Sequence, residues 1–316
     1  FDIAAGYFKA SARQNHAQGQ FNLGNCYFSG QGVVQNYEQA IAAWQRAAQQ
    51  GHPHAVWRLA TLYASGEGLP RDRKKAAGLC RKIAEKGHAN GALLLGELLS
   101  SRGNSDEARR WWAVAAEHGS TQADILSELE MWRRLDPIAG RLAFVEVDHL
   151  YQGWNNCGAT SIAMFARHFG TETNPYDVKR LCPRSPIGTG TDWADLLAVG
   201  EKVNQEWKLV TFSNDDHGFA EGTRFIRQHL DAGRPVVIDF TYIRERDGKR
   251  VRSGHTLLVV GYHTERNQFV LQNPNQPPPG IQLMSTGDLK SIWYSNSYSR
   301  LAKGQTTRPL IVMARK

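Results

Sequence analysis

Four side chains in the second half of the sequence have types and spacings suited to acyl transfer: Gln152, Cys157, His255 and Asn273. Cys157 stands in YQGWNNCGATSIAMFARHFG. Asn155 and Asn156 are good helix caps, Ile162, Phe165, Ala166 and Phe169 trace an apolar helical face, and Gly170 ends it. The pattern predicts a helix, buried along one side, whose first turn holds Cys157. A sulfur there meets the positive end of the helix dipole, which favours thiolate, the attacking form, and a protonated histidine nearby adds to the effect. Gly158 leaves room for a substrate backbone beside it.

A partner for that sulfur lies about a hundred residues on. RSGHTLLVVGYH reads as a strand that opens with His255 and is apolar on both faces, so it belongs in the middle of a sheet. QFVLQNPN reads as the next strand, ending at Asn273, and a hairpin would return Asn273 to His255, where it accepts the second imidazole N–H. Taken singly, a cysteine, a strand-end histidine and an asparagine before proline are ordinary structural residues. Their order is what distinguishes them: cysteine on a helix, histidine on a strand, Asn or Asp at the end of the following strand. Gln152, five residues before Cys157, is placed to point its amide at a developing oxyanion together with the Cys157 N–H. Such a donor contributes about 3 kcal/mol to lowering the barrier.

The other reactive side chains fit no such pattern. Cys26 and Cys80 fall at helix positions used by apolar residues, and Cys182 lies in a Pro-rich loop as a free thiol or half of a bridge. No C-x-x-C pair and no ligand spacing marks a metal site, and nothing calls for a cofactor. His217, after Asp215 and Asp216, reads as part of a solvated turn; His263 sits at the far end of its strand and His168 nearly three turns beyond Cys157.

The elements that must hold this chemistry form two regions. In the first, FNLGNCYFSGQGVVQNYEQAIAAWQRAAQQGH aligns with WRLATLYASGEGLPRDRKKAAGLCRKIAEKGH. Leu23, Leu59 and Leu95 recur in phase, as do Tyr27 and Tyr63, Gly30 and Gly66, Ala40 and Ala76, and Gly51 and Gly87. A shortened third unit repeats Ala108, Trp112, Ala116 and Gly119. Each unit reads as helix, turn, helix, with residues 1–15 closing a preceding unit, QADILSELEMWRRLDP capping the array and Pro137 ending it. The second region reads as α+β: helices over DWADLLAVGEKV and FAEGTRFIRQHLDAG, and strands over RPVVIDFTYI, IQLM and RPLIVMARK. A D-G turn lies in RERDGKRVR, and Trp154 and Trp193 are candidates to line a cleft.

The repeated unit resembles the Sel-one-like repeat, a relative of the tetratricopeptide repeat. The likeness implies a curved α-solenoid that either binds a protein partner or braces the second region. QGWNNCGATSIAM, SGHTLLVVGY and LQNPN together resemble the double-glycine (bacteriocin leader) peptidase family within the papain-like superfamily. That resemblance implies Cys157 as nucleophile, His255 as general base and acid, Asn273 as orienting residue and Gln152 as oxyanion donor. It also implies a preference for small residues such as Gly-Gly before the scissile bond. The sequence departs from the family at two points. The Gln-to-Cys spacing is five where six is usual, and Asn273 stands where Asp is commoner. The membrane and ATPase regions of the transporter-linked members have no counterpart here.

The expected architecture is a helical repeat solenoid over residues 1–136, a linker over 137–145, and an α+β papain-like cysteine peptidase domain over 146–316. The expected function is cleavage of a protein or peptide through a covalent acyl-enzyme. The same residues would equally serve a glutamine deamidase, a transglutaminase or a cell-wall amidase, and an idle binding scaffold is a further alternative. Lysine and arginine exceed acidic residues by 38 to 30 with no basic block, which gives no nucleic-acid stripe. No apolar run is long enough to span a membrane. The sequence opens on Phe1, so an earlier leader would lie outside it; a bacterial, secreted or periplasmic effector or toxin is the setting expected for this architecture.

Overall fold

A computed structural model describes residues 2–135, 142–147, 149–150, 157–182, 193–246, 249–275, 280–293 and 307–314. Two compact units result, one built on Phe1–Glu130 and the other on Met131–His149, Asn156–Asn275 and Gly280–Lys316.

The first unit consists of helices α1 (Asp2–Arg13), α2 (Ala17–Ser29), α3 (Tyr37–Gln49), α4 (Pro53–Ser65), α5 (Arg73–Ala84), α6 (Ala89–Ser100) and α7 (Ser105–Glu117), followed by α8 (Gln122–Leu135). The repeat punctuation has a local cause. Gly51 and Gly87 adopt left-handed backbone, at φ +79° and +81°. The histidine that follows each one then caps the next helix: His52 Nδ1 accepts from the Ala55 N–H and His88 Nδ1 from the Gly91 N–H. Asn36 and Asp72 cap α3 and α5 in the same way. Pro137 lies outside the described residues; α8 ends at Leu135.

Packing inside the unit follows volume. The Trp44 ring is fully buried against α2, and a Cβ added at Gly24 would stand 2.5 Å from it; Gly96 and Trp112 repeat the relation at 2.4 Å. The middle repeat carries Ala60 and Cys80 at the equivalent positions, a larger residue on one helix and a smaller one on the other. Gly24→Ala is therefore expected to lower stability by about 1–3 kcal/mol, the usual cost of overpacking. Thermal unfolding checks this, and an unchanged midpoint would contradict the packing described.

The second unit is a seven-stranded antiparallel sheet with helices on it. Its strands are β1 (Leu142–Phe144), β2 (Trp207–Ser213), β3 (Val236–Arg246), β4 (Lys249–His263), β5 (Gln268–Gln272), β6 (Ile281–Ser285) and β7 (Thr307–Met313), in the order β2-β7-β3-β4-β5-β6, with β1 pairing the end of β4. Four helices precede or interrupt the strands: α9 (Cys157–His168), α10 (Pro175–Arg180), α11 (Trp193–Lys202) and α12 (Asp216–Asp231); α13 (Thr286–Ile292) follows β6. Val236, Ile238, Leu257, Val259, Leu310 and Val312 meet Phe219, Ile226 and Trp293 in one core.

The structure differs from the sequence expectations at three places. Leu142–Phe144 fall within the expected linker but form β1, three residues too short to show a period. The strand with His255 begins at Lys249, six residues earlier than expected, because the basic stretch before His255 pairs along β3 from Arg246 onward. The Asp215–His217 stretch is solvent-exposed but is a helix start rather than a turn: Asp215 accepts from the Gly218 N–H and so caps α12.

Candidate active site

α9 begins at Cys157 and is buried without interruption from Gly158 to Ala166, so it is surrounded by the unit rather than buried along a single face. Its contact with β4 is specific. The last β4–β5 pair joins Leu258 to Gln272. Just before that pair, the Thr256 carbonyl accepts from Ser161 Oγ at 2.9 Å. Cys157 stands one turn earlier on α9, and backbone groups of Thr256 and Gly158 favour its thiolate. Of the four cysteines, all free, Cys157 is the one that is partly exposed; Cys26, Cys80 and Cys182 are buried. Cys182 Sγ donates to the Val178 carbonyl at 3.2 Å.

His255 is 4% exposed and Asn273 7%. Asn273 follows the last residue of β5, and its N–H donates to the Gly280 carbonyl at 2.7 Å, which closes the excursion between β5 and β6. Gly280 is required there: its φ is +67°, and a Cβ would run into the His149 ring. With the loop closed, Asn273 Oδ1 stands 2.9 Å from His255 Nε2. Asn275 Nδ2 lies 3.3 Å from both ring nitrogens. His255 and Asn273 are therefore joined directly. Gln152, Asn155, Asn156 and Trp154 lie outside the described residues.

Electrostatics around the sulfur differ from the expectation of a stabilised thiolate. Burial pushes the Cys157 thiol above its ordinary value, and the Asp239 carboxylate adds to this. The backbone bonds at Thr256 and Gly158 and the Lys179 cation pull the other way but are outweighed by the lost hydration. Burial also holds the His255 imidazole below its ordinary value, partly offset by the bond to Asn273. Both shifts favour the neutral forms of the thiol and of the imidazole.

Sequence reasoning missed the polar groups around this thiol. Asp239 accepts from Thr256 Oγ1 at 3.3 Å and from Trp193 Nε1 at 3.4 Å. Trp193 is thus a buried hydrogen-bond donor. Lys179 is almost wholly buried, and its charge interacts with Cys182, Cys157 and Asp195. A carboxylate inside the apolar run VVIDF was the one available signal, since a charge in such a run needs partners. Among the described residues no group of three or more His, Cys, Asp or Glu side chains is arranged to hold a metal ion. No helix among them is long and apolar enough to cross a membrane.

A cysteine opening a buried helix, packed on an antiparallel sheet that carries a bonded His–Asn pair, defines the class of papain-like cysteine peptidases. Residues 144–302 match the Peptidase_C39 like family, and the chain belongs to that family. Residues 17–52, 53–88 and 91–120 match the Sel1 repeat. Among solved structures, a Sel1 repeat protein from Oxalobacter formigenes is 28% identical, with 40% of this chain and 96% of that one covered and a TM-score of 0.35. The peptidase domain of Streptococcus ComA, a bi-functional ABC transporter of a quorum-sensing pathway, is 15% identical over 52% of this chain and 97% of its own, at TM-score 0.34. Xylellain, a cysteine protease from Xylella fastidiosa, is 11% identical over 58% and 90%, at 0.37. A search of curated proteins gives no match.

Proposed function

We propose that the chain hydrolyses peptide bonds with Cys157 as nucleophile, His255 as general base and acid, Asn273 as the residue that orients the imidazole, and Gln152 with the Cys157 N–H as oxyanion donors. The observation that carries this reading is the 2.9 Å bond from His255 Nε2 to Asn273 Oδ1, in the unit whose helix α9 opens with Cys157. With Nε2 occupied by Asn273, Nδ1 is the basic nitrogen. The Asn275 amide yields Nδ1 to the thiol when substrate binds. Nδ1 then takes the S–H proton as sulfur adds to the carbonyl carbon. The same proton passes to the leaving amine as the C–N bond breaks. Water, deprotonated by Nδ1, cleaves the thioester and restores the thiol.

Small residues such as Gly-Gly before the scissile bond are the proposed preference, the repeats are the proposed contact for a protein partner, and a secreted bacterial effector or toxin is the proposed setting. Mass spectrometry of Gly-Gly-containing peptides incubated with the protein tests the reaction type. Two fragments that together equal the substrate plus one water are expected. Conversion of glutamine to glutamate without chain scission would replace peptidase with deamidase.

A further inference from the structure

The orienting residue is an amide, and an amide raises a question that a carboxylate does not. Both oxygens of an aspartate accept, so either orientation holds an imidazole N–H. An asparagine presents an acceptor on one side and a donor on the other. If the Asn273 amide were turned over, its NH2 would face Nε2, the ring proton would move to Nδ1, and the base would be lost.

Two contacts decide the orientation. The Asn275 backbone N–H, which can only donate, reaches Asn273 Oδ1 at 3.0 Å. Asn273 Nδ2 reaches Gln282 Oε1, on β6, at 3.1 Å. Gln282 stands opposite Leu271 on β5, two residues before Asn273, which puts its side chain on the face where the amide lies. With Oδ1 thus the acceptor, Nε2 carries the proton, and the Asn275 side-chain amide, 3.3 Å from both ring nitrogens, can donate only to the unprotonated Nδ1. The Asn275 backbone bond alone leaves the Asn273 NH2 without an acceptor in a buried site; Gln282 supplies it.

We infer that Gln282 is a positioning residue of the active site: by accepting from Asn273 Nδ2 it fixes which end of the Asn273 amide faces His255 and so keeps the imidazole proton on Nε2. The inference rests on the reading of His255 as the base, but it has a readout of its own.

Long-range proton–nitrogen NMR of His255 reports the tautomer whether or not the protein cleaves anything. The wild type is expected to show a protonated Nε2 and an unprotonated Nδ1, and Gln282→Leu a mixture of both tautomers. Gln282→Glu, which still accepts, is expected to restore the wild-type spectrum. In turnover, Gln282→Leu is expected to lower kcat on the order of tenfold with little change in KM. In an Asn273→Asp background, where either oxygen accepts, the same substitution is expected to change kcat less than about twofold. Circular dichroism and melting confirm that each variant is folded. An unaltered tautomer in a folded Gln282→Leu protein would overturn the inference even if peptide cleavage is found. So would an equal loss of kcat in the wild-type and Asn273→Asp backgrounds. The expected spectra from a protein that cleaves no peptide would uphold the inference and sink the peptidase reading instead.

Discussion

Cys157→Ala is expected to remove peptide cleavage, with kcat falling by about 10⁴-fold or more while the protein remains folded. The mechanism has no second route to the acyl-enzyme: without sulfur no thioester forms, and His255 is left to activate water unaided against an amide carbonyl. Cys26, Cys80 and Cys182 cannot substitute, since each is buried and the first two belong to the helical unit. Folding should survive because the substitution removes a single sulfur atom and leaves the Ser161 bond to Thr256 that ties α9 to β4. Peptide hydrolysis followed by chromatography, alongside a melt of both proteins, makes the check. Residual cleavage within tenfold of wild type would require another nucleophile. The same pair tests the effector setting: a sensitive host should tolerate Cys157→Ala and not the wild type, and equal toxicity would separate the harm from the chemistry.

What the sequence made legible was what local rules control. A 36-residue recurrence of glycines, alanines and leucines is enough to announce paired helices, because each position repeats the same packing demand. The cysteine at a capped helix start and the histidine in an apolar strand were readable for the same reason. The groups that remained hidden become neighbours only through the sheet register. Asp239 meets Thr256 because β3 pairs with β4 at that step, and Gln282 meets Asn273 because β6 pairs with β5. Neither register has a signature in composition. The thiol's electrostatics differ from the expectation for a related reason: a helix start can be seen in the sequence, whereas the burial that outweighs it depends on everything packed around α9.

That burial leads to the second large effect, a steep response of Cys157 to pH. Carboxamidomethylation is expected to quicken about tenfold per pH unit from roughly pH 6 to pH 8, because the reacting form is the thiolate and the thiol is held above its ordinary value of about 8.5. Turnover should respond differently. The base must be neutral, and burial lowers the His255 value, so the imidazole stays unprotonated from neutral pH to below its usual 6.5. kcat/KM is therefore expected to remain level through that value and to fall only below it, as protons reach Nδ1. A preformed thiolate–imidazolium pair predicts the opposite labelling profile, nearly flat down to mildly acidic pH, and such a profile would refute the neutral resting state. Asn273→Asp discriminates further. A carboxylate beside Nε2 favours the charged ring, so this variant should raise the acid limb of kcat/KM and speed labelling near pH 6. Because the substitution changes charge while leaving an acceptor in place, a shift in that direction would tie the pH response of the thiol to the ring that Asn273 holds.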